Sequence, residues 1–323
     1  MNWNDKQSVI KMVTQIAWTL KKASDDLKND KEVVLVAINR SASAFKYASE
    51  NLKTDRKFLL EAVQTNGQVL EFFSKKMKND KEVVLAAFQQ YGCSLEYASN
   101  DLKNDKEFVL AAVQQNGYAL KYVNNELKND QEIVLAAVQQ NGTSLQFASQ
   151  ELQNDKEVVL TAVQQYGHAL YYASDQLKND KEVVLLAVQV YGQALEYASN
   201  ELKNDKEVVL TTVQQNGWAL QFASDELINN KEVVLVAVQQ NSQALKYTSE
   251  QLQNDKEVVL ATIQKNLQGL QYASKEIRDN IGDNEPIEIL KDLIQIEQDK
   301  IHLEDKINTQ QNIKNNKKLH IKI

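Results

Sequence analysis

Residues 105–129 read DKEFVLAAVQQNGYALKYVNNELKN, and the fold follows from this stretch. Asp105 is an N-cap residue, its carboxylate placed to accept from the free amides of a first helical turn. Glu107 adds negative charge where the helix dipole favours it. Phe108, Val109, Leu110, Ala112 and Val113 spread over roughly 200° of a helical wheel, while Glu107, Ala111, Gln114 and Gln115 occupy the opposite arc. So wide an apolar arc suits a helix that touches neighbours on both sides as well as its own partner segment. Asn116-Gly117 ends the helix, with Gly117 expected in the left-handed conformation that glycine adopts without penalty. A second, shorter helix follows through Tyr118, Ala119, Leu120, Tyr122 and Val123. A tight turn then carries Leu127 inward.

The same stretch recurs along the chain. Asn-Asp-Lys-Glu-Val-Val-Leu appears with its Asp at 30, 80, 155, 180, 205 and 255. Looser copies place Asp at 5, 55, 105 and 130, and Asn230 takes the same place. The spacing is 25 residues throughout, so eleven repeats run from Asp5 to Asp279 without an insertion. Positions are numbered here from the Asp of each repeat. Position 16 is Leu from Leu70 to Leu270, and position 18 is aromatic from Tyr47 to Tyr272. The Ser that usually occupies position 20 (Ser99, Ser149, Ser174, Ser199) can cap the last tight turn. Neither helix is long enough to persist alone, so packing between repeats must hold them. The predicted fold is all-α: an α-solenoid, a superhelical stack of two-helix repeats with a C-terminal amphipathic helix.

The repeated D-K-E-V-V-L-x-A-V-Q-x-N-G-x-A-L-x-Y-A-S-x-E-L-K-N resembles the repeats of the family called domain of unknown function 4116, over residues 5–279. More distantly, the layout is similar to leucine-rich-variant repeats and to armadillo and HEAT arrays. The resemblance implies a helical scaffold and carries no activity, since the family has no catalytic residues to map onto this chain.

The ends depart from the pattern. Residues 1–29 form a degenerate repeat, with Ser8 at a core position and Lys22 in place of the aromatic, as a cap exposing one polar side would have. Ten full repeats are expected over 30–280. Pro286 falls in the first turn of a new helix, within a linker and amphipathic segment over 281–311. There Ile289, Leu293, Ile296, Leu303 and Ile307 follow a coiled-coil seam interrupted by Lys300, either as a cap over the last repeat or as an oligomerisation helix. Residues 312–323 carry Lys314, Lys317, Lys318 and Lys322 without an acid and read as a disordered basic tail.

The composition narrows the function. One Cys (Cys93) permits no intramolecular disulfide and points to a reducing compartment. A net charge of −7 argues against nucleic acid as the main partner. No apolar run approaches the ~20 residues of a membrane span, and Met1 to Leu20 lacks a signal-peptide core. His168, His302 and His320 lie far apart, and Cys93 has no ligand at metal spacing, so neither a metal nor another cofactor is expected. Single glycines 25 residues apart make no phosphate loop, and Asp/Glu pairs such as Asp205 and Glu207 are explained by helix capping.

Catalytic residues are therefore expected to be absent, and the chain reads as a non-enzymatic scaffold for a protein or peptide. It has no small-molecule substrate and is placed in the cytoplasm, with nuclear import left open by the basic tail. The alternative is a spacer array that self-associates through 287–307. The contact residues singled out are Tyr166, His168, Tyr171, Leu186 and Tyr191 in two adjacent repeats, with Trp218 a second candidate. Tyr and Trp offer large contact area at low entropic cost. The Gln columns at positions 10 and 11 are a further candidate, since stacked amides can both donate to and accept from a peptide backbone.

Overall fold

The structure is a computed structural model that describes residues 2–281 together with Glu288, Lys291, Asp292 and Gln295. The expectations for Pro286, for the seam from Ile289 to Ile307 and for the basic tail lie outside the described residues.

Every repeat is built from three helical segments. In the repeat quoted above they are an α-helix at Lys106–Gln115, a 3-10 helix at Gly117–Tyr122 and a single turn at Leu127–Asn129. Among the described residues the eleven repeats all follow this order, and there is no strand. Asp105 caps the α-helix as expected, accepting from the Phe108 amide at 2.9 Å. The last turn is capped by Ser, as when Ser99 accepts from the Leu102 amide at 3.2 Å, or by Asn124, which accepts from Leu127 at 2.8 Å.

The turn between the first two segments differs from expectation. Asn116 swings to an extended conformation (φ −154°, ψ 110°) and its side chain accepts from the Tyr118 amide at 2.9 Å. The 3-10 helix then starts at Gly117 itself, and this glycine has no positive φ. Its need is spatial. A Cβ on Gly117 would stand 2.2 Å from the carbonyl oxygen of Ala137 in the following repeat. Gly67, Gly142 and Gly217 face the corresponding oxygens of Ala87, Ala162 and Ala237 at 2.3 Å. Glycine here permits close approach of two backbones, the other use of a missing side chain.

The core lies between the segments. Val109, Ala112 and Val113 are buried in the α-helix with Phe108, and Ala119, Leu120 and Val123 close the repeat from the 3-10 side. Each buried Val or Leu contributes about 1.5–3 kcal/mol relative to exposure. Leu110, at the edge of the apolar arc, is half-buried. The same holds for the position-6 residue of every repeat, from Ile10 to Leu260.

Contacts cluster the chain into two compact bodies, Met1–Leu177 and Lys178–Ile323, and within each body successive repeats stack as an α-solenoid. Two polar ladders tie neighbours together. Lys106 at position 2 bridges to Asp130 at 2.7 Å and Glu132 at 2.9 Å in the next repeat, and Lys181 does the same to Asp205 and Glu207. On the single-turn side, the Ser199 amide donates to the Lys178 carbonyl at 2.9 Å, and the Ser199 hydroxyl donates to Asn179 Oδ1 at 2.5 Å. In the first repeat the Ser24 amide donates to the Trp3 carbonyl at 3.1 Å, the place that position 24 of the preceding repeat takes elsewhere. At the other end the last turn lengthens into a seven-residue helix, Lys275–Ile281, running through the point where another repeat would begin.

Candidate binding surface

The outward face of the α-helices is ordered into bands. Positions 4, 5, 8 and 9 point inward in each full repeat, leaving positions 2–3, 6–7 and 10–11 on successive outward turns. Because successive α-helices pack side by side within each body, each set forms a strip crossing the helices.

The first strip is ionic. From Asp80 to Glu207 each repeat places Asp at position 1 and Glu at position 3 against at most one Lys between them, and repeat 130–154 has Gln131 instead of that Lys. Within each body the carboxylates therefore outnumber the ammonium groups along this edge. Hydrogen bonds to Asp130 and Glu132 raise the pKa of Lys106, and the hydrogen bond from Lys81 holds Asp105 below the usual carboxylate range.

The second strip is apolar. Leu85, Leu110, Leu135 and Leu160 at position 6 are half-buried, and so is position 7, where Ala86, Ala111, Ala136, Thr161 and Leu186 stand. The third strip is made of amides. Position 10 is Gln from Gln64 to Gln264, every one exposed. Among the described residues Gln89, Gln114 and Gln139 make no side-chain hydrogen bond. Position 11 is mostly Gln as well, with Val190 taking its place at 44% exposure.

The predicted aromatic residues lie on the 3-10 side and at its junction with the α-helices. Tyr166, His168 and Tyr171 come together: the Tyr166 and His168 rings are 5.6 Å apart, and His168 stacks on Tyr171 at 6.0 Å. Tyr166 is 44% and Tyr171 53% exposed. Leu186 and Tyr191 belong to the second body. Leu186 is half-buried on the α-helix Lys181–Val190, and the half-buried Tyr191 donates its hydroxyl to Gln193 Oε1 at 2.6 Å.

Trp218 has a packing partner as well as an exposed edge, with its ring 5.9 Å from Tyr247 of the next repeat. The same contact from position 14 to the next position 18 joins Tyr118 edge-on to Phe147 at 4.9 Å. It also brings Cys93 to Tyr122, whose hydroxyl is pushed up by burial and by its hydrogen bond with Cys93. Position 14 is thus partly a link between repeats.

The half-exposed leucine strip is the feature that sequence reasoning missed. The sequence places position 6 within the apolar arc without separating it from the buried positions 4, 5, 8 and 9. Yet position 6 lies beside the polar positions 3 and 10 on the wheel, and that adjacency was the available signal. Among the described residues no group of three or more His, Cys, Asp or Glu is placed to hold a metal, and no helix is long and apolar enough to cross a membrane.

The family model described as Domain of unknown function (DUF4116) matches residues 5–53, 55–103, 105–153, 155–203, 180–228, 205–253 and 230–278. Each match spans two structural repeats, and the last four overlap in steps of 25 residues, the period of the helical unit. No curated protein and no solved structure matches the chain significantly. The matches cover most of the sequence, and the chain belongs to the DUF4116 family.

Proposed function

We propose that this DUF4116 array is a non-enzymatic, intracellular scaffold that binds another protein through the banded face of its α-helices. The observation that supports the reading is the exposed Gln at position 10, held from Gln64 to Gln264. The mostly exposed position 17 has diverged between repeats, as have the half-buried position 7 and position 14, whereas position 10 has not. No internal hydrogen bond accounts for that constancy, since Gln89, Gln114 and Gln139 make none with their side chains among the described residues. An amide that both donates and accepts is suited to an external backbone. A lone unpaired thiol, Cys93, accords with a reducing compartment.

The test is affinity capture from a lysate of the native cell. Wild type would be compared with Gln89→Ala/Gln114→Ala/Gln139→Ala and with Tyr166→Ala/His168→Ala/Tyr171→Ala, each shown to melt like wild type. A protein lost only with the glutamine variant supports the α-helix face. Loss only with the aromatic variant moves the site to the 3-10 side, and no specific capture by wild type sinks the scaffold reading.

A further inference from the structure

Three chemically different strips run side by side across the α-helices, and their spacing along the chain of repeats is fixed by helix packing. Neighbouring helices pack with axes about 8–10 Å apart. A partner lying across them must present like groups at that interval. An α-helix rises about 1.5 Å per residue and returns a side chain to nearly the same face every seven residues, about 10.5 Å, beyond that interval. A β-strand rises about 3.3 Å, and its third residue points to the opposite face. A polyproline II segment has three residues per turn and about 3.1 Å per residue, so every third side chain returns to the same face after about 9.3 Å. Of the three, its same-face repeat is the one that falls within the ~8–10 Å interval.

The chemistry of the strips agrees with that geometry. A polyproline II backbone makes no hydrogen bonds of its own, and Gln89, Gln114 and Gln139 offer exposed amides able to serve its carbonyls and N–H groups. The half-buried Leu85, Leu110 and Leu135 provide an apolar step at each helix. Alongside them the edge carrying Asp130, Glu132, Asp155 and Glu157 has Gln131 in place of a lysine, and Gln131 Nε2 donates to Glu157 Oε2 at 3.1 Å instead of neutralising it. From these three features we infer that the α-helix face of the first body accepts an extended polyproline II segment with an apolar residue every third position and a basic residue beside it. The inference rests on the scaffold reading above and names the partner's chemistry.

The probe is a fluorescein-labelled peptide of five Leu-Pro-Lys triplets, titrated with the full chain and read by anisotropy. Two controls have defined differences: a peptide of the same composition with the leucines at irregular spacing, and a heptad-patterned helix of Leu, Lys and Ala. The triplet peptide should bind at least tenfold more tightly than the irregular one. Gln89→Ala/Gln114→Ala/Gln139→Ala should weaken it tenfold or more without lowering the melting temperature. Equal binding of the triplet and irregular peptides would reduce the effect to charge attraction and overturn the inference. Preference for the heptad peptide would overturn it in favour of a helical partner, leaving the scaffold reading intact. No binding of any peptide would also overturn it, while lysate capture lost in the glutamine variant would show that the scaffold reading survives.

Discussion

Gly117 and Leu267 hold the same position in their repeats, one in the interior of the first body and the other in the last repeat. Gly117 is buried, and its missing Cβ leaves room for the Ala137 carbonyl of the next repeat. Leu267 is 55% exposed. The neighbouring leucines tell the same story: Leu120 and Leu220 are fully buried, and Leu270 is half-buried. A repeat therefore has no intrinsic burial. The residue that position 13 tolerates is decided by whether another repeat stacks on it, as a quasi-one-dimensional array requires.

Substituting both ends of that comparison gives the largest contrast. Gly117→Leu should cost more than about 4 kcal/mol, in the exceptional tail of single substitutions. The obstructing atom is a backbone oxygen that already accepts from the Asn141 amide at 2.9 Å, so it cannot move without opening the end of its helix. Leu267→Gly should cost about 0.5–1 kcal/mol, the ordinary penalty for glycine in a helix. Urea unfolding followed by circular dichroism measures both, and similar losses would refute the stacking explanation. Ala17, Ala42 and Ser242 also carry a Cβ at position 13 and are buried, so a stacked repeat restricts the position to small residues.

Leu220→Ala and Leu270→Ala sharpen the comparison with side chains of one type. The first removes a fully buried leucine and should cost about 3 kcal/mol through lost transfer energy and a cavity. The second should cost roughly half that or less, because its site can collapse or fill from solvent. Equal midpoint shifts in the same denaturation series would show that the last repeat is covered as fully as the interior ones.

The repeat period, the capping Asp and the order of segments were all legible from residues 105–129, because they depend on contacts within a repeat or on strict recurrence. What was not legible depends on the neighbour. Gly117 looked like a left-handed cap because an Asn-Gly pair at a helix end commonly is one, and the carbonyl it actually admits is twenty residues further on. Leu110 is only half-buried because it sits at the edge of the apolar arc, beside the polar positions 3 and 10. Of the aromatic candidates, Tyr166, His168 and Tyr171 meet, and Trp218 leans on Tyr247 while keeping an exposed edge.

Position 15 supplies a smaller test of the same principle. Ser94 and Ser144 are both fully buried there. Ser94 donates to the Gly67 carbonyl of the preceding repeat at 3.0 Å, whereas Ser144 Oγ has no hydrogen-bonding partner among the described residues. Most other repeats carry Ala at this position, as at Ala119 and Ala169, so removing the hydroxyl leaves a shape that fits. Ser94→Ala should destabilise by about 1 kcal/mol, and Ser144→Ala should stabilise by a similar amount. Shifts of the same sign would mean that the two hydroxyls are equally satisfied.

The smallest effects belong to the ionic strip, where two junctions differ. Arg56 reaches Asp80 at 2.8 Å and Glu82 at 2.7 Å, whereas Gln131 leaves the corresponding Asp155 without a cation from the preceding repeat. The Arg56 hydrogen bond holds the Asp80 pKa below its ordinary value. A carboxylate whose pKa is lower in the folded state contributes stability that is fully present above its unfolded value of about 4 and lost as pH falls through the folded value. Arg56→Ala should therefore lower the melting temperature slightly at pH 7 and leave it nearly unchanged at pH 2, making the acid-induced drop shallower. Gln131→Lys should do the reverse, adding about 0.2–1 kcal/mol at pH 7 and steepening the drop below pH 4. The lysine would also neutralise part of the acidic edge beside Leu135 and Gln139. If that edge attracts a basic segment, the stabilised variant should hold the triplet peptide less tightly and show a weaker salt dependence. A variant that gained stability while keeping peptide affinity unchanged would separate the two uses of the strip and leave it as a link between repeats alone.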